Sequence, residues 1–266
     1  MSIPSAGDTF PAFRAAAVQA APVFLDRDAT LDKLEGLVAE AAGGGAQLVV
    51  LSESFVPAFP VWNIVLAPMD QHKFFRALYE NALVVPGPHT DRIGSLARRY
   101  GVFLSVGVTE RSAISMGAMY NTNLLFDPEG SLVNRHRKLV PTWAEKLTWA
   151  NGDASDLRPV ETELGRIGTL ICGENTNTLA RYALLAQGEQ VHLSTYPPAW
   201  PFRRTGSAGN YDLGARSRSA RPRTRSRARC STSWRRGSST TSRSKRWPRA
   251  IRGSRRRSGP HRSRAR

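Results

Sequence analysis

Short apolar runs alternating with helix-period segments constrain this chain more than any other feature. Phe13 to Ala20 (FRAAAVQA), Gln47 to Leu51 (QLVVL), Val102 to Glu110 (VFLSVGVTE) and Arg166 to Ile171 (RIGTLI) are short and largely apolar. The first two read as buried strands and the other two as strands. Between the first two, Leu31, Leu34, Val38 and Ala41 recur every three to four residues, Asp28 stands as a cap, and Gly43 to Gly45 end the segment. Those signals predict a helix. Strand, helix, strand in this order predicts an α/β layered fold.

The same reading extends along the chain. Phe55 to Pro68 is a loop rich in Pro and aromatic residues, and helices are expected over Gln71 to Asn81, Asp91 to Tyr100 and Thr178 to Gln187. Asn121 to Phe126 and Leu132 to Lys138 flank the turn D-P-E-G at Asp127 to Gly130, so a hairpin is expected. Val191 to Ser194 reads as a final strand.

Charge divides the chain. The net +17 would point to a nucleic-acid binder if it were spread evenly. However, 20 of the 38 Lys and Arg lie between Ala215 and Arg266, where there is no Asp or Glu; the rest holds 18 basic and 21 acidic residues. Residues 1–214 therefore read as one ordinary, slightly acidic domain. The Arg/Ser-rich stretch 215–266 lacks the apolar surface to offset the entropy of ordering, and it is expected to be disordered. Binding of nucleic acid through that basic tail is the reading from another functional class, and the acidic body makes it the less favoured one.

Two cysteines, Cys172 and Cys230, make no disulfide framework and fit a reducing compartment. No basic segment precedes the apolar stretch near Ala15 to Leu25, and no run approaches the roughly 20 apolar residues of a membrane span. A cytoplasmic protein without membrane association is expected. No metal-ligand cluster or phosphate loop is apparent, so no cofactor is implied.

Three residues at strand ends invite chemistry. Cys172 stands where RIGTLI gives way to C-G-E-N and a helix, a place where helix N–H groups favour thiolate. Alone, it is equally a buried structural cysteine. Glu53 follows QLVVL and is either a solvated loop residue or a general base in a pocket. Lys138 ends R-H-R-K, as a surface lysine or as a cation for developing negative charge.

Extended strings surround all three. They are A-A-V-Q-A-A-P-V-F-L-D near residue 16, L-S-E-S-F-V-P-A-F-P around Glu53, and H-R-K-L-V-P-T-W around Lys138. W-A-N-G-D follows at 149–153, then G-R-I-G-T-L-I-C-G-E-N around Cys172, and L-A-R-Y-A-L-L-A-Q-G-E-Q-V-H at 179–192. In this order, over about residues 13 to 213, they resemble the nitrilase superfamily of carbon–nitrogen hydrolases, and most closely its nitrilase branch. The resemblance implies a four-layer α-β-β-α sandwich with an incomplete C-terminal portion. It implies Cys172 as nucleophile, Glu53 as base and Lys138 as the cation that stabilises tetrahedral intermediates. Glu145 would orient Lys138 and water, and the Gly173 N–H would donate to the oxyanion. The implied substrate is a small-molecule nitrile, cleaved to acid and ammonia; an amidase or N-carbamoyl hydrolase would use the same trio. Gly173 departs from the Trp that many nitrilases carry after the nucleophile. Trp62, Tyr196, Pro198 and Trp200 are candidates to line the pocket, with core packing the alternative. A homo-oligomer is implied where the C-terminal segments are intact.

The tail has one more expected origin. Suitable codons for R-T-R-S-R-A-R-C-S-T-S-W-R-R-G, read one base earlier, spell H-A-F-E-G-E-V-F-N-I-V-A-S-G, which resembles a nitrilase continuation. A shifted reading frame is thus expected to underlie the Arg/Ser excess.

Overall fold

The computed structural model describes residues 11–197. The boundary at residue 214, the Arg/Ser-rich stretch and Cys230 all lie outside the described residues.

Five strands form one sheet in the order β1 to β5: β1 (Ala15–Ala17), β2 (Leu48–Val50), β3 (Phe103–Arg111), β4 (Met119–Phe126) and β5 (Leu132–Arg137). The first three run parallel, with Ala16 opposite Val49 and Val49 opposite Leu104; β4 and β5 add on antiparallel through the expected hairpin. A second sheet pairs β6 (Ile167–Ile171) with β7 (Val191–Thr195) in parallel.

Side-chain alternation builds the layers. Val49, Leu104, Val106, Val108 and Leu124 face one way, onto Leu31, Leu34 and Val38 of α1 (Arg27–Gly43) and onto later helix residues Ile93, Leu96 and Ala97. Their neighbours Leu48, Phe103 and Leu125 face the other way and meet Ile167, Val191 and Leu193 of the second sheet. On that sheet's far side Leu170 packs against Ala180 and Leu184 of a helix over Thr178–Ala186. Helix, sheet, sheet, helix is thus the α-β-β-α order expected, with strand period 2 splitting each strand between two cores.

Between these lie α2 (Trp62–Val65), α3 (His72–Asn81) and α4 (Pro88–Tyr100); Thr178–Ala186 is α5. Several expectations need correction. Asp26 rather than Asp28 caps α1, its carboxylate accepting from the Ala29 N–H at 3.0 Å. Asp28 sits in the first turn, where its charge still favours the helix dipole. Helix α4 starts three residues before Asp91 because Pro88 suits the first helical position and Thr90 accepts from the Gly87 N–H. The Pro-rich loop contains a short helix, α2.

Candidate active site

Glu53 lies just past β2, in a segment folded tightly over β3. A Cβ on Gly107 would come within 2.4 Å of the Ser52 carbonyl oxygen and 2.5 Å of the Ser54 nitrogen, so only glycine permits this approach. The Glu53 N–H donates to the Tyr196 carbonyl at 3.0 Å, which ties the end of the second sheet to the first. The Ser54 hydroxyl meets the Thr109 hydroxyl at 3.0 Å and holds the turn down.

Lys138 follows β5 by one residue. Its N–H donates to the Asn121 carbonyl at 2.8 Å and its carbonyl accepts from the Gly152 N–H at 2.9 Å. A Cβ on Gly152 would lie 2.7 Å from that carbonyl, which accounts for the glycine of W-A-N-G-D. Glu145 sits on a 3-10 turn, Trp143–Leu147, and accepts from the Thr142 N–H at 2.8 Å. Cys172 follows β6 and opens a second 3-10 turn, Cys172–Thr176. Asn175 closes that turn by donating to the carbonyls of Leu170 (3.2 Å) and Cys172 (2.9 Å).

The four side chains converge. The Lys138 ammonium donates to Glu53 Oε1 at 2.9 Å and to Glu145 Oε2 at 2.6 Å. Asn121 Nδ2 also donates to Glu53 Oε1, at 2.7 Å. Carboxylate oxygens of Glu53 and Glu145 and the Cys172 sulfur all lie within 4.8 Å of one another. Glu53 and Lys138 are at most 1% exposed and Glu145 is 3%, whereas Cys172 is only partly buried. Glu53 Oε2 is buried with no hydrogen-bond partner among the described residues. Proximity alone would make the two carboxylates and the sulfur a metal-ligand set. The ammonium bonded to both carboxylates already holds the cation position.

Local strain gathers here as well. Of the four non-glycine residues with left-handed φ among those described, three flank the cluster: Ser54 (46°), Trp143 (50°) and Cys172 itself (52°). Such conformations cost on the order of 1–3 kcal/mol each and concentrate at functional sites.

The charges are unbalanced. Burial works against the Lys138 ammonium, but Glu53, Cys172 and Glu145 around it override burial and hold it charged well above the usual lysine range. Burial, then the neighbouring Glu53 charge, pushes the Glu145 carboxyl up to about 7 against the pull of Lys138. Burial and Glu53 likewise push the Cys172 thiol well above its ordinary value. The expectation that a helix end favours thiolate is therefore corrected. A 3-10 turn separates the sulfur from α5, and at neutral pH the sulfur rests as a thiol, with the Gly173 backbone amide bonded to it.

Of the residues expected from the sequence, Glu53, Lys138, Glu145, Cys172 and Gly173 come together. Trp62 does not join as a pocket wall: it is 2% exposed and packs with Phe59, Leu78 and Trp149, stacked on Phe74 at 5.5 Å. Tyr196 contributes its backbone to Glu53 as described, and Pro198 and Trp200 lie outside the described residues. Asn121 and Gly107 were not anticipated. The polar N-T-N opening an apolar strand was the available signal for Asn121.

Comparisons with known proteins place the chain in a family. The family model for carbon-nitrogen hydrolases matches residues 14–220. A nitrilase of Paraburkholderia phymatum is 44% identical over 184 residues, covering 69% of this chain and 53% of its own length. A bifunctional nitrilase/nitrile hydratase of Nicotiana tabacum is 40% identical over 187 residues, covering 68% of this chain and 53% of its own. The chain thus spans about half the length of the curated relatives it matches. The crystal structure of a carbon-nitrogen hydrolase from Helicobacter pylori G27 shares the fold, with a TM-score of 0.60 at 20% identity over 78% of this chain and 66% of that one. By the extent of the family match, this chain belongs to the carbon-nitrogen hydrolase family.

Proposed function

We propose that this protein is a thiol hydrolase that converts a nitrile and two waters to a carboxylic acid and ammonia, with Glu53, Lys138 and Cys172 as the catalytic residues. The observation that carries the reading is the meeting of one ammonium hydrogen-bonded to two carboxylates and a thiol sulfur within 4.8 Å of those carboxylates, at the ends of strands from both sheets. The nitrilase names of the curated relatives support the nitrile as substrate.

In the first step Glu53, with its free Oε2, takes the thiol proton as the sulfur attacks the nitrile carbon, giving a thioimidate. A thiol that rests protonated needs this base close by, because attack and proton transfer then occur together. Lys138 donates toward the nitrogen where charge builds, and Gly173 N–H is the candidate second donor. Glu53 passes the thiol proton to the nitrile nitrogen and, ionised again, takes a proton from the water that adds to the thioimidate carbon. It hands this proton, and then the water's other one, to the nitrogen, which leaves as ammonia and gives the acyl-enzyme. A second water, activated in the same way, releases the acid and returns the proton to sulfur. Glu145 holds Lys138 in place and, with a carboxyl near neutrality, tunes how much of its charge is free.

The same reading makes the protein cytoplasmic, acting on a small molecule and assembling as a homo-oligomer; no helix among the described residues is long and apolar enough to cross a membrane. Ammonia release from a panel of nitriles and a matching panel of amides tests the function. Release from nitriles, lost in Cys172→Ala, is expected. Release from amides alone makes the protein an amidase with the same residues, and an unchanged rate in Cys172→Ala removes the sulfur from the mechanism.

A further inference from the structure

Glu174, two residues after the sulfur, is buried at 6% exposure and lies outside the trio. Its Oε1 accepts the Leu139 N–H at 2.7 Å, and its Oε2 accepts the Ile171 N–H at 2.9 Å. Oε2 also lies 3.0 Å from Nε2 of His136, which is 1% exposed. Leu139 directly follows Lys138 and Ile171 directly precedes Cys172. One carboxylate therefore grips the backbone beside the ammonium and the backbone beside the nucleophile, and these two segments come from different sheets. His136 steadies it from β5.

The bonds have a defined direction. Backbone amides only donate, so both Glu174 oxygens must accept, and an ionised carboxylate suits three converging donors better than any neutral side chain. Burial alone would raise its pKa, but His136 and the two amides outweigh burial and hold it below the usual carboxylate range. His136 Nδ1 has no partner among the described residues. The bond to Ile171 also closes the turn in which Cys172 adopts its left-handed φ of 52°.

We propose that Glu174, steadied by His136, is a positioning residue: it sets the distance between the Lys138 ammonium and the Cys172 sulfur by clamping the two sheets together at the candidate site. The inference rests on the catalytic roles given above, and its test has a readout that does not depend on nitrile turnover.

The test is the pH dependence of Cys172 alkylation by iodoacetamide in the full chain. It is followed on the Cys172 peptide by mass spectrometry, because the chain holds a second cysteine, Cys230. In Glu174→Gln one amide faces an NH2 group instead of an acceptor, and the clamp opens. The ammonium withdraws from the sulfur, the midpoint of alkylation rises by about one pH unit, and alkylation at a fixed lower pH slows about tenfold. A purely electrostatic role gives the opposite sign, since losing a carboxylate charge favours thiolate. With a nitrile that is turned over, kcat falls about 10²-fold, the scale of roughly 1 Å of misplacement, while KM changes little. His136→Ala shifts the midpoint in the same direction by less, and His136→Gln, which restores an N–H near the Nε2 position, recovers it.

An unshifted or lowered midpoint in a folded Glu174→Gln overturns the proposal, as does a raised KM at unchanged kcat. If Glu174→Gln does not fold, the His136 pair decides alone, and equal midpoints for His136→Ala, His136→Gln and the parent overturn it. A parent that hydrolyses no nitrile but shows the shifts defeats the nitrilase reading and leaves the clamp standing. A hydrolysing parent with no shifts does the reverse.

Discussion

Strand β5 carries two charge clusters on opposite faces, and they are built on opposite principles. From R-H-R-K, Arg135 and Arg137 turn to Glu110, which is fully buried, bonded to both guanidiniums and accepts the Thr122 hydroxyl at 2.9 Å. Burial would raise the Glu110 pKa, but the two arginines outweigh it and hold it below the usual range. Arg137 also lies 3.9 Å over the Tyr120 ring. Two cations and one anion, partly open to water at the arginines, make a quiet cluster. On the other face a single buried ammonium serves two buried carboxylates, with a partly buried thiol beside them. Protons there are held against their usual preference, and one carboxylate oxygen is unpaired. The contrast teaches that buried charge is not itself the mark of chemistry; buried charge left one counter-ion short is.

Substitutions on the two faces should therefore behave differently. The largest effect is expected for Lys138→Met, which leaves Glu53 and Glu145 facing each other without a cation. Turnover should fall by at least about 10⁴-fold in an ammonia assay, and denaturant unfolding should show a loss of roughly 3–5 kcal/mol. Retained turnover would break the comparison at once. Next comes Gly107→Ala, whose new methyl meets the Ser52 carbonyl at 2.4 Å. It displaces Glu53, and kcat should drop on the order of 10²-fold with little change in KM.

A smaller effect concerns pH. Ionising Glu145, which titrates at about 7, adds a second negative charge beside Glu53. That charge lifts the thiol further and neutralises Lys138, so kcat/KM should decline as pH rises through 7. Glu145→Gln should flatten this limb while lowering the plateau about tenfold. The same shift has a stability side. The Glu145 carboxyl is raised in the fold above the ordinary glutamate value of about 4.5, so its protonated form is favoured on folding; this contribution is complete below about 4.5 and is lost as pH climbs to about 7. The smallest effect on rate belongs to Glu110→Gln. It should cost about 1–3 kcal/mol in unfolding experiments and leave kcat within about threefold. A large kcat loss there would show that the two faces of β5 are not independent.

Much of this was readable in the linear chain, for particular reasons. QLVVL announced a buried strand and RIGTLI another strand because both are short and largely apolar, and the residues at or just beyond their ends, Cys172 and Glu53, were thereby placed at strand ends. Lys138 was readable from its strings alone; by composition it looked like any surface lysine, and only the pairing with Glu53 and Glu145 explains a fully buried ammonium. Asn121, Gly107 and Glu174 were not legible, since each acts through a contact with a segment far away along the chain. Trp62 was open between pocket and core because an aromatic side chain serves both uses, and only its neighbours decide. The protonation state of Cys172 was misjudged for a related reason. A helix start is visible in sequence, whereas the depth of burial and the carboxylate that faces the sulfur are not.

Keeping that sulfur as a thiol has a consequence beyond catalysis. Peroxides and stray electrophiles react with thiolate, so a nucleophile that sheds its proton only as it attacks its own substrate is a poor target for oxidation to sulfenic acid. The anionic surroundings that make Cys172 slow to ionise thus shield it from chemical ageing, and the molecule should tolerate oxidants that inactivate enzymes with a pre-ionised cysteine.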